Sequence, residues 1–223
     1  MPQQQIPSGK TVSRRSFLQK SFTLPVAFLI AACSGSVSNT GSAGNTAASP
    51  AASAGARPRT LSPSSACSGT PTPSQTEGPY YKSGSPERTS LREPGLLGTP
   101  LTVTGYVLST TCQPIAGALL DFWQADNNGN YDNSGFRLRG HQYTDKQGRY
   151  SLETIVPGEY PGRTRHIHVK VQAPGQPILT TQLYFPAEPH NNSDPIFSPA
   201  LLLHVQNTSN GQLATFNFVL APR

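Results

Sequence analysis

Tyr131, Tyr160, His166 and His168 have the side-chain types and the order needed to hold a ferric ion. The two histidines flank Ile167 in the run Thr164-Arg165-His166-Ile167-His168-Val169-Lys170-Val171, whose polarity alternates as in a β-strand. Residues two apart on a strand point to the same face. Both imidazoles are therefore expected to converge on one point while Ile167, Val169 and Val171 face a core. Two tyrosines precede the pair, each just after a turn-like segment. A phenolate is a hard, anionic oxygen ligand suited to Fe(III). A zinc site would more usually recruit cysteine, a third histidine or a carboxylate.

The elements that must carry these residues read as short strands with no long helical period. Runs rich in β-formers occur at 101–107, 118–124, 150–154, 165–171, 179–185 and 213–220. In the last, Phe216, Phe218 and Leu220 share one face, which predicts one half-buried strand. Asn128-Gly129 and Asp145-Lys146-Gln147-Gly148 are turn signals, and the second is expected to close a hairpin. Residues 188–199, rich in Asn, Ser and Pro, predict a long surface loop. Many short strands with regular turns point to an all-β sandwich with long loops.

Two readings of that sandwich compete. Gly105-Tyr106-Val107, Gln113 to Ala118, Thr144 to Tyr150 and Val156-Pro157-Gly158-Glu159-Tyr160 resemble the prealbumin-like or carboxypeptidase-regulatory sandwich, a module that is often purely structural or binding. In that reading Tyr150 and Tyr160 are packing aromatics and no metal is held. Arg163 is then a solvated surface residue, and Tyr80 and Tyr81 are rim aromatics. Trp123, the sole tryptophan, reads as core packing rather than substrate contact. His141, His190 and His204 lack paired spacing and read as surface or hydrogen-bonded histidines.

A longer set of motifs favours the metal site. These are Thr76-Glu77-Gly78-Pro79-Tyr80-Tyr81, Asp121-Phe122-Trp123-Gln124-Ala125-Asp126 leading to Gly129-Asn130-Tyr131, and Ile155-Val156-Pro157-Gly158-Glu159-Tyr160. They continue with Gly162-Arg163-Thr164-Arg165-His166-Ile167-His168 and Leu179-Thr180-Thr181-Gln182. Together they resemble the intradiol ring-cleavage dioxygenases, the family of catechol 1,2-dioxygenase and protocatechuate 3,4-dioxygenase. The resemblance implies one Fe(III) per chain, with Tyr131 and His166 as the equatorial pair and Tyr160 and His168 as the axial pair. It implies Tyr160, Arg163 and Gln182 as catalytic residues, Arg163 stabilising negative charge on the substrate ring. Gly78, Pro79 and Tyr80 would border the substrate pocket. The implied reaction is cleavage of a catechol-type ring by O2 to a cis,cis-muconate-type dicarboxylate. Charge accounting agrees with this. A catechol binding as a dianion must lose two protons, of which a displaced hydroxide takes one and Tyr160, departing as a neutral phenol, takes the other. The helical N-terminal domain and linker typical of catechol 1,2-dioxygenases are missing from the pattern. The ring substituents of the substrate and the oligomeric state, a homo-oligomer included, stay open.

The N-terminus predicts export. Residues 1–32 hold Lys10, Arg14, Arg15 and Lys20 and no acidic residue, and Ser13-Arg14-Arg15-Ser16-Phe17-Leu18 resembles a twin-arginine signal. The apolar stretch from Phe22 to Ala32 is too short to span a bilayer. It runs into Leu29-Ile30-Ala31-Ala32-Cys33, which resembles a bacterial lipobox. That resemblance implies lipidation of Cys33, hence a membrane lipid as partner of an extracytoplasmic, membrane-anchored lipoprotein; a plain signal peptide is the alternative. Residues 33–66, almost all Ser, Ala, Gly, Thr, Asn and Pro, predict a flexible tether with a span of roughly 30 Å. The folded domain is expected over 67–223. In an oxidising compartment Cys67 and Cys112 would form a disulfide, the alternative being two separate thiols. The chain carries +6, but without the four basic residues of the signal it carries +2. With no basic cluster, this gives no case for nucleic-acid binding.

Overall fold

The structure is a computed structural model and describes residues 67–221. The signal, Cys33 and the tether lie outside the described residues. Among the described residues nine strands form two sheets. The first sheet has the order β4-β1-β8-β7, built from β4 (Arg149–Ile155), β1 (Pro100–Ser109), β8 (Gly211–Thr215) and β7 (His204–Thr208), with β9 (Phe218–Leu220) also paired to β1. The second has the order β3-β2-β5-β6, built from β3 (Arg139–Tyr143), β2 (Leu119–Trp123), β5 (His166–Gln172) and β6 (Leu179–Tyr184). The two make the all-β sandwich expected from the sequence.

Alternating side chains create the core. Tyr150 and Leu152 of β4, Leu101 and Val103 of β1, and Ile167, Val169 and Val171 of β5 are all buried in one cluster with Phe122, Leu183 and Phe218. Burying apolar area between the sheets stabilises the fold by roughly 25 cal/mol per Å². Because Ile167, Val169 and Val171 take the inner face, His166 and His168 must take the outer face of the second sheet.

Three local expectations are corrected. The run 213–220 is not one strand: β8 and β9 both run parallel to β1, and the chain breaks between them at Phe216-Asn217. There the Phe216 carbonyl approaches Gly105 so closely that a Cβ at Gly105 would lie 1.7 Å from its oxygen. The Asn217 side chain then accepts the Tyr106 amide at 3.0 Å in place of a ladder bond. The turn at Asp145–Gly148 forms, with Asp145 Oδ1 accepting the amides of Gln147 and Arg149, but it is no hairpin. It carries the chain from β3 in one sheet to β4 in the other. Strands β3 and β7 were not foreseen, since Arg139–Tyr143 and His204–Thr208 are polar edge strands with little apolar alternation. Cys67 and Cys112 are joined by a disulfide, which fastens the segment ahead of β1 to the turn that follows it.

Candidate active site

The outer face of the second sheet carries a transverse row of cross-strand neighbours. Arg139 on β3 pairs with Trp123 on β2, Trp123 with His168 on β5, and His168 with Gln182 on β6. All four are buried although none faces the sandwich core. The segment after Cys67 covers them: Gln182 donates to the Thr76 carbonyl at 3.1 Å and Arg139 to the Tyr80 carbonyl at 2.6 Å. Trp123 lies parallel to the His168 ring at a centroid distance of 4.8 Å. It is thus buried as expected of packing, but against an imidazole rather than between the sheets.

His166 and His168 converge as the strand period requires, their Nε2 atoms 3.1 Å apart. His166 Nδ1 lies 2.6 Å from the Thr164 carbonyl oxygen, so this nitrogen carries the proton and Nε2 presents a lone pair to the site. Burial holds His166 neutral by pushing its pKa down to about 4. Burial, and next the neighbouring His166, hold that of His168 well below the ordinary value.

Two loops bring the phenols. The Tyr131 hydroxyl lies 3.5 Å from His166 Nε2, and Tyr131 stacks on Tyr80 with ring centroids 4.4 Å apart. The Tyr160 ring stands edge-on to Tyr131 at 5.8 Å and to His166 at 5.6 Å. The two loops touch through their backbones. Gly129 has φ +83°, and a Cβ there would sit 2.1 Å from the Glu159 carbonyl oxygen, so only glycine lets the loops meet. Burial is the main force raising the Tyr131 pKa above the ordinary phenol value, helped by Tyr160 and opposed by Arg163 and Arg139.

Arg163 binds several of these parts together. Its Nε donates to Asp194 Oδ2 at 2.9 Å, one terminal nitrogen to the Tyr160 hydroxyl at 3.2 Å, and the other to Gln182 Oε1 at 2.5 Å and the Tyr184 hydroxyl at 3.3 Å. Of the residues implied to border the pocket, Tyr80 stacks on Tyr131, Gly78 lies against the His168 ring and Pro79 forms the turn between them. His141 is hydrogen-bonded to Ser85, His190 pairs with Glu159, and His204 is exposed.

The arrangement fits a hard trivalent cation. Two neutral imidazoles turn their Nε2 atoms to one point, and two phenols stand beside them. Among the described residues no three His, Cys, Asp or Glu side chains gather to hold a metal, so phenol oxygens must complete any coordination here. That donor set disfavours zinc and suits Fe(III).

Sequence reasoning missed Arg139, Tyr184, Asn191 and Asp194. Tyr184 had a signal, since it sits two residues beyond Gln182 on the same strand face. Arg139 had none, because its place depends on the β2–β3 register. Residues 188–199 do form the expected loop, largely exposed, but Asn191 and Asp194 within it are buried. Asn191 accepts the Thr164 hydroxyl at 2.8 Å and donates to the Phe185 carbonyl at 2.9 Å.

Comparison with known proteins agrees with this geometry. A family model described as "Dioxygenase" matches residues 76–222. The dioxygenase domain of a dioxygenase–carbohydrate-binding protein fusion from Streptomyces sp. SirexAA-E is 59% identical, with TM-score 0.68, over 69% of this chain and 100% of that one. A chlorocatechol 1,2-dioxygenase from Rhodococcus opacus is 30% identical over 67% of this chain and 72% of its own length. A hydroxyquinol 1,2-dioxygenase from a Rhizobium species is 32% identical over 52% of this chain, which spans about half of that relative, 48%. The similarity covers the sandwich and every residue of the Tyr131–Tyr160–His166–His168 cluster, and the chain belongs to the intradiol ring-cleavage dioxygenase family.

Proposed function

We propose that this protein is an Fe(III)-dependent intradiol dioxygenase that cleaves a catechol-type ring with O2 to a cis,cis-muconate-type dicarboxylate. The observation that carries this is the meeting of two neutral imidazoles, two phenols and one half-buried arginine over a single sheet face. Tyr131, Tyr160, His166 and His168 would hold the ion. When bound, the ferric ion supplies Lewis acidity that favours the catechol dianion and makes its ring carbon reactive toward O2.

The protein's own groups do the rest. Of the two protons that the incoming diol loses, hydroxide would take one and Tyr160 Oη the other. Arg163, 3.2 Å from that oxygen, donates to it and supplies the positive charge that developing negative charge on the ring requires. Gln182 fixes the guanidinium plane by accepting from it while donating to the Thr76 carbonyl. Tyr131, stacked on Tyr80, stays in place. Tyr80 and the Pro79 turn wall the ring site. Trp123 shields the far face of His168 from water.

Purified protein loaded with iron should be red to burgundy from tyrosinate-to-iron charge transfer and should consume O2 with substituted catechols. A protein that stays colourless after ferric reconstitution would instead be a binding or structural sandwich. The twin-arginine and lipobox motifs support export of the folded protein to an extracytoplasmic, lipid-anchored location. Replacing Arg14 and Arg15 by Lys should retain the protein in the cytoplasm, and normal export of that variant would point to the general route.

A further inference from the structure

We infer that Asp194, on the loop between β6 and β7, is the positioning residue for Arg163 and thereby sets the turnover rate. The inference rests on the reading of Arg163 given above. The Asp194 side chain has no solvent exposure and that of Arg163 has 13%. Asp194 is held from two sides before it meets the arginine: Oδ1 accepts the Ile196 amide at 3.0 Å and Oδ2 accepts the Thr164 amide at 2.9 Å. Oδ2 also takes Arg163 Nε at 2.9 Å. A guanidinium is planar, so fixing Nε fixes the direction of both terminal nitrogens. One of them then points at Tyr160 Oη and the other at Gln182 Oε1.

The charge matters as well as the direction. An unpaired buried guanidinium costs several kcal/mol in lost hydration. Asp194 offsets that cost at Nε, on the side away from Tyr160, and leaves the terminal donors facing the site. No other carboxylate among the described residues contacts Arg163. Asn191 anchors the same loop through Thr164 and Phe185 without touching Arg163. Loop docking and arginine orientation are thus carried by different side chains and can be separated.

The test compares Asp194→Asn, Asn191→Ala and Arg163→Ala in the iron-loaded protein, with the double variant Asp194→Asn/Arg163→Ala. An Asn at 194 keeps the shape but loses the charge and half of the acceptor capacity. Asp194→Asn should lower kcat about 10- to 100-fold, the scale of an ångström-sized misplacement of a reacting group. KM for catechol, iron content and the visible band should change less than twofold. In the double variant the aspartate substitution should add less than a twofold loss to that of Arg163→Ala. Asn191→Ala should lower thermal stability while leaving kcat within about threefold. Equal kcat losses in Asp194→Asn and Asn191→Ala, or fully additive losses in the double variant, would overturn the inference and make Asp194 a general loop anchor. An Asp194→Asn protein with normal kcat would also overturn it. Arg163→Ala with normal kcat would instead refute the assignment of Arg163 on which it rests.

Discussion

The loops that carry Tyr131 and Tyr160 are built to different degrees of restraint. Behind Tyr131, the Asp132 carboxylate accepts the amides of Ser134, Gly135 and Arg137, and Arg139 Nε donates to the Asp132 carbonyl at 3.0 Å. Ahead of it, Asp126 Oδ1 accepts the amides of Asn128 and Asn130, and the ring itself is clamped by Tyr80. Behind Tyr160 stand exposed Pro161 and Gly162, with open space around Gly162, and its hydroxyl has Arg163 as donor. One phenol sits in a loop pinned by a carboxylate on either side of it, and the other in a loop whose next two residues lack such pins, with its hydroxyl met by a fixed arginine. The proposed function, in which Tyr131 stays on the ion and Tyr160 leaves it as a base, would call for this division.

The largest effect should come from the imidazoles both loops share. His166→Ala or His168→Ala should abolish stoichiometric iron binding and colour, read by metal analysis and absorbance. Retained iron in either variant would mean the strand pair is not the anchor. The comparison itself is broken or kept by the two phenol variants. Tyr131→Phe should lose most iron, whereas Tyr160→Phe should keep it and lose turnover by about 10²-fold or more, the usual scale for removing a general base. Equal iron loss in both would erase the distinction between the loops. Arg163→Ala should keep the visible band and lower kcat about 10²- to 10³-fold; loss of all colour would make its role structural.

The smallest effect sharpens the account of the restrained loop. The Asp132 carboxyl is held well below the usual carboxylate range, chiefly by the Gly135 and Arg137 amides. A depressed folded-state pKa stabilises above the unfolded value near 4 and is lost as pH falls through the folded value. Because this carboxylate is partly exposed, Asp132→Ala should cost only about 1 kcal/mol at neutral pH. The difference from wild type, followed by thermal melting, should shrink below about pH 4. A constant difference down to pH 2 would mean the carboxylate charge does not restrain the loop.

The sequence by itself determined the β-class and the face on which the two imidazoles meet, because a strand has period two and turn residues mark where loops begin. The two phenols were picked out of eight tyrosines only by resemblance to a family. The sequence could not determine that Gly105 admits the Phe216 carbonyl and so splits the final strand, nor that Asp145–Gly148 passes between sheets. The row Arg139–Trp123–His168–Gln182 likewise exists only once three strand registers are set. Asp194 meets Arg163 across 31 residues, through a loop whose composition reads as solvent-exposed. Such contacts belong to the tertiary structure, because inter-strand register and loop docking are chosen by long-range burial and hydrogen-bond satisfaction that no local window of residues contains.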